Sequence, residues 1–404
     1  MRILHVLPTY LPAVRYGGPI FAVHSLCRAL VSRGHEIEVY TTNLDGPNSI
    51  PESSEATVNL DGVLVRYFAS NFLRRLSWAP LLAHALRENI NKFDVVHIHT
   101  VFLWPTWAAA RAAKRAVVPY LISPRGMLIK ALIARRNRFI KSAWLNLIER
   151  SNLEQAAAIH VTSELEGKEL LRFEWQLPKV VCIANGVEAP ESTNNAMLTK
   201  DIEKLIEGPP YILFLGRLSW KKGLDQLLNA FALTSHAKLV IAGTDDEGLV
   251  PKLSQMVHDL KIGDRVHFIP RTLLGADKEH LFAAAQLFVL PSYSENFGNT
   301  VLEAMRRGLP VVVTPEVGAA EIVRESQAGI VANGDPQSLS GAIEQLTKDA
   351  AAAREMGQAG KRFVSKFYGW PVVAEQMERL YESLRVPQIV NGKNLVDHQH
   401  EWSR

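Results

Sequence analysis

Over its 404 residues the chain alternates short β-rich runs with helical patterns, and it runs through that grammar twice. Strands are predicted at 3–7, 37–41, 63–68, 95–99, 120–123 and 158–162, with helical periodicity at 20–32, 80–91 and 106–115. The pattern restarts with strands at 211–215, 237–242, 265–268, 287–290 and 311–313. Helices are predicted at 223–232, 249–260, 278–284, 300–307 and 338–348. Strictly alternating strands and helices imply parallel sheets covered on both faces, because a parallel connection has to cross over the sheet. Between the two runs lies 188–208, rich in Asn, Ser, Thr and Glu and followed by Pro209-Pro210, which reads as a linker. The expectation is therefore α/β: two doubly wound, Rossmann-like domains facing a central cleft. The first domain spans 1–187, with a returning helix at 370–385, and the second spans 188–369. Residues 386–404 read as a frayed tail.

Composition excludes several classes. A hydrophobic fraction of 47% and a charged fraction of 21% are those of a folded chain. The apolar run before Pro8 is too short for a signal-peptide core, and no 18-residue apolar segment occurs, so a cytoplasmic protein is expected. Cys27 and Cys182 lie far apart in apolar surroundings and read as buried free thiols. Residues 1–190 hold 22 Lys/Arg against 15 Asp/Glu, and the rest holds 23 against 26. That basic first half is either ordinary surface variation or a face for an anionic membrane surface. The basic residues are not interleaved with a nucleic-acid recognition motif, so no nucleic-acid partner is expected. The segment 129–153 mixes Arg135, Arg136, Arg138, Lys141 and Arg150 with Phe139, Trp144, Leu145 and Leu147. It reads either as an amphipathic membrane-surface stretch or as a solvated helix with a core-facing stripe. Residues 72–82 are a second, weaker candidate.

The densest chemistry follows the strand at 287–290: Pro291-Ser-Tyr-Ser-Glu-Asn-Phe-Gly-Asn-Thr300. A buried strand, a small polar loop and a helix start place the N–H groups of Gly298, Asn299 and Thr300 where an anion is stabilised. Asn296 and Phe297 complete the loop. Glu295 and, eight residues on, Glu303 offer carboxylates that can each accept from vicinal hydroxyls. A diphosphate between two hydroxyl-rich groups would suit such a set; a capping loop with two exposed acids is the plainer alternative. Gly216-Arg-Leu-Ser-Trp-Lys-Lys-Gly223 supplies Arg217 and Lys222, a bidentate fork and a point charge. Gly17-Gly18-Pro19 opens the first helix and permits close backbone approach to phosphate. His97 and His99 share one face of their strand; a metal pair is conceivable there, but the sequence shows no third ligand and satisfied core histidines are the plainer reading. Arg125, in Ser123-Pro-Arg-Gly126, could meet an acceptor or a phosphate.

Through Glu295 and Glu303, spaced as E-x7-E, the chain resembles the GT-B retaining glycosyltransferases of family GT4, over nearly its whole length. The resemblance implies a nucleoside-diphosphate sugar as co-substrate, of UDP or GDP type, with no cofactor and no metal. It assigns Glu295 to the donor sugar and Glu303 to the ribose. Arg217 and Lys222 fall in its G-R-L-x-x-x-K-G pattern, on the diphosphate. Gly17 and Gly18 also reach the diphosphate, His99 lies by the transferred sugar, and Arg271 falls where the nucleobase passes. The Ser-Pro-Arg-Gly run resembles a subgroup that builds bacterial surface polysaccharide on glycan or lipid-linked acceptors. Ala319 in Gly318-Ala-Ala-Glu321 departs from the family's Gly-Gly-x-x-Glu and implies a less permissive loop. An epimerase, a phosphorylase and an inactive nucleotide-binding scaffold are the competing readings.

Overall fold

The computed structural model describes residues 1–13, 17–46, 48–50, 57–135, 138–191, 197–235 and 237–385. They form two compact units, Met1–Ala184 with the C-terminal segment from Trp370, and Asn185–Gly369. Residues 386–404, read from sequence as a tail, lie outside the described residues.

In the first unit the elements are β1 (Arg2–Val6), α1 (Gly18–Ser32), β2 (Glu36–Thr42), β3 (Thr57–Leu60), β4 (Val63–Phe68), α2 (Pro80–Asn89), β5 (Val95–His99), α3 (Trp104–Ala116), β6 (Tyr120–Ser123), β7 (Ala158–Val161), α4 (Glu164–Leu171) and β8 (Val180–Cys182). They build an eight-stranded sheet in the order β8-β7-β6-β5-β1-β2-β4-β3. Only β3 runs antiparallel to its neighbour, at the edge. Every residue of β5 is buried, as expected of a strand covered on both faces. The covers are two apolar layers, one around Leu86, Ala109 and Leu153 and the other around Val23, Leu30 and Met377.

The second unit contains α5 (Lys200–Ile206), β9 (Tyr211–Leu215), α6 (Leu224–Ala232), β10 (Leu239–Ala242), α7 (Val250–Asp259), β11 (Val266–Ile269), α8 (Gly275–Ala283), β12 (Ala285–Leu290), α9 (Asn299–Arg306), β13 (Val311–Val313), α10 (Ala320–Ser326), β14 (Gly329–Val331), α11 (Pro336–Lys348) and α12 (Ala350–Phe367). Its parallel sheet has the order β11-β10-β9-β12-β13-β14. The order reverses between β9 and β12, and in the first unit between β1 and β5. Ligands bind beyond the carboxyl ends of strands at such reversals.

The last helix, α13 (Trp370–Arg385), belongs to the first unit and packs on α1. Trp370, Val373, Met377, Leu380 and Tyr381 are all buried, the face that the sequence pattern selects. Glu378 binds Arg33 and His35, and Arg385 pairs with Asp94 at 3.0 Å.

Three expectations need correction. The polar stretch 188–208 is not linker throughout: α5 occupies Lys200–Ile206, and Ile202 is fully buried. Helix α12 escaped the hydropathy pattern because its packed face is small, with Ala353, Gly357 and Gly360 buried. A Cβ at Gly357 would lie 2.0 Å from the carbonyl oxygen of Gly308, so the helix rests directly on backbone. Cys182 is only half-buried, although burial still pushes its thiol up to about 12.

In the segment 129–153 part of the apolar stripe faces the core. Leu128, Ile133, Leu145 and Leu153 are buried, while Leu147 stays exposed. Residue 136 and the side chains of Arg135, Arg138 and Phe139 lie outside the described part. Among the described residues no helix is long and apolar enough to cross a membrane.

Candidate active site

At the reversal of the second sheet, β9 delivers Gly216 and an exposed Arg217, after which the buried Leu218 tucks the chain down. A 3-10 turn at Trp220–Lys222 follows and ends at Gly223, in the left-handed region at φ 64°. From β12 come Pro291 and the loop to Gly298. The two loops are sewn together: Tyr293 N–H donates to the Lys221 carbonyl at 2.7 Å, and the Gln226 amide donates to the Pro291 carbonyl at 2.6 Å. Lys222 Nζ forms an ion pair with the Glu295 carboxylate, each side chain about four-fifths buried at 15% and 20% exposure. The strand-end cation and the loop acid, 73 residues apart, thus meet at one point.

A third segment braces the acid. Glu295 N–H donates to the Glu316 carbonyl and Gly318 N–H to the Glu295 carbonyl, each at 3.0 Å, while Ala319 N–H reaches the Phe297 carbonyl at 2.7 Å. Ala319 adopts φ −79°, an ordinary conformation, so the departure from glycine there carries no strain. Gly298, at φ 95°, turns the chain into α9; a Cβ would meet Val317 at 3.0 Å. The N-cap Gly298 has no side chain to cap the first turn of α9, where the helix dipole is positive. The Asn299 side chain accepts from Asn185 at 2.9 Å, which braces this helix start.

Gly223 gives a direct test of how tightly the loops abut. A Cβ there would sit 2.0 Å from the Pro291 carbonyl oxygen, whereas Gly248, also left-handed at φ 67°, has open space around it. In urea unfolding, Gly248→Ala is expected to cost roughly the 1–2 kcal/mol of a left-handed alanine. Gly223→Ala should cost about 1–3 kcal/mol more, through overpacking. Equal losses would mean that the loops yield without strain.

Two assigned residues are engaged within the unit. Glu303 pairs with Lys278 of α8 at 2.8 Å. Arg271 binds Asp201 at 3.0 Å, Asp277 at 3.3 Å and the Thr199 hydroxyl at 2.6 Å, fastening α5 to α8. The Thr199 hydrogen bond and the Arg271 guanidinium hold Asp201 below the usual carboxylate range. Arg271 thereby clamps α5 to α8. Asp245 caps α7 by accepting from the N–H groups of Leu249 and Val250 at 2.7 and 2.9 Å.

In the first unit, β1 and β5 place His5 opposite His97. The resulting buried cluster holds His5, His97, His99 and His160 with Ser123, Arg125 and Tyr381. Its proton order follows from two ends that have no choice. The Ile183 carbonyl can only accept, so His160 carries its proton on Nε2 (2.8 Å) and accepts from the Ser123 hydroxyl at Nδ1 (2.7 Å). Ser123 then accepts from His97 Nε2–H at 2.7 Å, and His97 Nδ1 accepts from the Tyr381 hydroxyl at 2.8 Å. The Arg125 guanidinium can only donate, so His99 accepts at Nδ1 (3.3 Å) and donates from Nε2 to His5 Nδ1 (2.9 Å). His5 Nε2 has no hydrogen-bond partner among the described residues.

Every ring is neutral. Burial first, and Arg125 second, lower His5 to about 3; burial and Arg125 do the same to His160. Burial likewise holds His97 and His99 well below the ordinary range. His5, His97 and His99 bring nitrogens within 4.8 Å of one another, which supplies the third imidazole that the sequence left unseen. They do not fit a metal ion. Both nitrogens of His97 and of His99 are committed to hydrogen bonds, and the Arg125 cation stands beside them. His99 is also not placed as a base, since neither of its nitrogens is left for substrate.

Sequence reasoning missed His5 and His160 and read Tyr381 only as part of an apolar helix face; the three enter the cluster through strand register and the return of α13. Beyond β1 and β5 lies a cavity of about 310 Å³ whose lining includes Leu7, Thr9, Arg74, Arg75, His99 and Arg125. Gly17, at φ 70°, is the N-cap of α1, with Gly18 and Pro19 in its first turn. Tyr16 lies outside the described residues.

The family model described as glycosyl transferases group 1 matches residues 198–363, and the glycosyl transferase 4-like domain matches 17–186. An uncharacterised glycosyltransferase of Methanocaldococcus jannaschii is 28% identical, over 95% of this chain and 98% of that one. Sucrose-phosphate synthase from Thermosynechococcus elongatus superposes with a TM-score of 0.74 at 21% identity, covering 95% and 98% of the two chains. Anabaena HepE in complex with UDP-glucose gives 0.70 at 21% identity, covering 95% and 100%. The architecture is that of the GT-B fold.

Proposed function

The chain belongs to the group 1 glycosyltransferases, and from that premise we propose that it transfers a sugar from a nucleoside diphosphate to a glycan or lipid-linked acceptor, with retention and without a metal ion. The observation that carries this reading is the meeting of Lys222 and Glu295 at the sheet reversal, beside the N-terminus of α9. A diphosphate arriving there finds Lys222, Arg217 and helix amides, which stabilise the negative charge that grows as the glycosidic bond breaks. It also draws Lys222 away from Glu295, whose carboxylate then accepts from sugar hydroxyls. Glu303 serves the ribose in the same way. The acceptor oxygen bonds to the anomeric carbon on the face that the diphosphate leaves, and its proton passes to a phosphate oxygen. No side-chain base is required, which suits the committed nitrogens of His99.

The UDP-glucose complex of HepE favours a UDP-type donor. A thermal-shift screen with UDP, GDP and ADP tests this. One nucleoside diphosphate at a hundredfold its Kd should add about 2.7 kcal/mol to stability. That raises Tm by roughly 5–11 °C at unit sizes of this order. No shift with any diphosphate would overturn the reading. Tight nucleotide binding without transfer from any donor would favour the inactive scaffold.

Peripheral attachment to the inner face of a membrane, in surface-polysaccharide assembly, is supported by a different segment from 129–153. Phe72, 64% exposed, begins an aromatic ladder: Phe72–Trp78 at 5.9 Å, Trp78–Trp104 at 6.3 Å and Trp104–Trp107 at 6.4 Å, with Arg111 over Trp107. Phe72 is the exposed ring of this ladder, while Trp104 and Trp107 pack against the core; an exposed aromatic beside Arg74 and Arg75 suits the headgroup layer of an anionic bilayer.

A further inference from the structure

We propose that Lys278 is a specificity-determining residue of the donor site. Together with Glu303 it holds one ribose hydroxyl of the nucleoside diphosphate from both sides: Glu303 accepts from the hydroxyl, and Lys278 donates to its oxygen. The proposal rests on the glycosyl-transfer reading above and adds a residue, and a selectivity, to that same site.

The Glu303 carboxylate is balanced in charge but not in hydrogen bonds. Lys278 Nζ stands 2.8 Å from Glu303 Oε2, and each side chain is about three-quarters buried. Oε2 is nonetheless buried without a hydrogen bond from any described residue, because the ammonium lies off the direction that a hydrogen bond needs. A buried acceptor left open is costly until a ligand supplies a donor. The ammonium carries three donors and, among the described residues, pairs with Glu303 alone. A hydroxyl group serves both partners at once, since it donates one hydrogen bond and accepts others. The Lys222–Glu295 pair differs in this respect, because there the lysine already donates to the carboxylate. That pair has to part for a ligand, whereas Lys278 and Glu303 can admit a hydroxyl and stay together.

The frame around the pair is fixed. Three consecutive residues in the first turn of α8 each fasten to a different partner. Asp277 accepts from Arg271 at 3.3 Å and from the Thr199 hydroxyl at 2.8 Å, Lys278 meets Glu303, and Glu279 accepts from Arg307 Nε at 2.8 Å. Arg307 also donates to the Glu303 backbone carbonyl at 2.8 Å, so its position and charge are spent on holding α9 to α8. Lys278 is left to answer the Glu303 carboxylate, and loss of its charge would leave both flanking pairs in place. Glu303 follows Asn299, the first residue of α9, by one helical turn, about 6 Å along the axis. A ribose esterified to a phosphate at the helix N-terminus falls at that remove.

Calorimetric titration of the full chain with UDP and GDP, each in its ribo, 2′-deoxy and 3′-deoxy form, tests the assignment. The wild type is expected to bind one ribonucleoside diphosphate roughly tenfold or more tighter than one of its deoxy forms, the loss of a charged hydrogen bond. Lys278→Met keeps the stem and removes the donors. It should weaken the ribo form about tenfold and leave that deoxy form nearly unchanged, so the preference collapses. Lys278→Arg should retain part of the preference, and Lys252→Ala, exposed on α7, should retain all of it. Equal weakening of ribo and deoxy forms by Lys278→Met would make the lysine merely structural, and an unchanged preference or tighter ribo binding would show that it donates nothing to the ribose; each overturns the inference. Glu303→Gln separates this failure from that of the parent reading. If neither UDP nor GDP binds the wild type, or if Glu303→Gln leaves the preference intact, the donor-site assignment falls and this inference with it. A preference lost in Glu303→Gln but kept in Lys278→Met overturns the role of Lys278 alone.

Discussion

Replacing Lys222 with alanine is expected to cut turnover by about 10²-fold or more, the scale on which a single donor to a developing oxyanion acts. Arg217→Ala should fall in the same range. Both cations are proposed to meet charge that grows only as the diphosphate leaves, so the loss belongs in kcat more than in KM. Lys222 carries a second burden, because without it Glu295 keeps a mostly buried carboxylate with no counter-ion. Glu295→Ala in turn leaves Lys222 without this carboxylate and, on the proposed reading, the donor sugar unread. The double variant should therefore lose less than the product of the two single losses, the signature of directly coupled residues. Steady-state rates for the two single variants and the double variant decide the matter. Near-normal rates in both Lys222→Ala and Arg217→Ala would remove the phosphate role, and fully multiplicative losses would mean that the ion pair is incidental.

Acid should unfold the first unit steeply. His5, His97, His99 and His160 are neutral when folded, with His5 and His160 lowered to about 3 and the other two well below the ordinary value of 6.5. Between those folded values and 6.5 the unfolded chain binds protons that the folded chain does not. Stability is thus complete above about pH 6.5 and falls as the pH drops toward 3, by on the order of 1 kcal/mol per pH unit for each histidine. Four such rings remove several kcal/mol per unit, against a total of roughly 5–15 kcal/mol for a domain. Loss of tertiary structure is therefore expected about one to two units below pH 6.5, followed by urea midpoint or near-ultraviolet circular dichroism. His5→Gln, which keeps an acceptor for His99 Nε2–H, should lower the slope by about one proton. A midpoint that does not move between pH 7 and 5 would show that the cluster opens and protonates without unfolding.

Different physical information was legible in different places. The β12 loop could be read directly because its signals are local: a buried strand, a polar loop, a glycine at the helix start and two acids at fixed spacing all lie within 20 residues. The α12 helix could not, since its packed face uses Ala and Gly, whose burial rests on close backbone approach rather than on hydropathy. Arg271 was assigned by position along the chain, which carries no sign of the two acids on α5 and α8 that it clamps. His99 was placed near the chemistry by its strand end, yet its nitrogens were already spoken for by Arg125 and by a histidine 94 residues earlier.

By itself the sequence determined the two α/β units, the buried strands, the helix face that returns at 370–385 and the family to which the chain belongs. Each of these depends on periodicity or on motifs short enough to be written along the chain. Only the tertiary structure decided that Lys222 pairs with Glu295, that four histidines and Tyr381 share a directed set of hydrogen bonds, and that Arg74 and Arg75 line the same cavity as Arg125. Those are facts of strand order, cross-strand register and loop packing. They join residues from tens to hundreds of positions apart, and no local preference encodes which of them will meet.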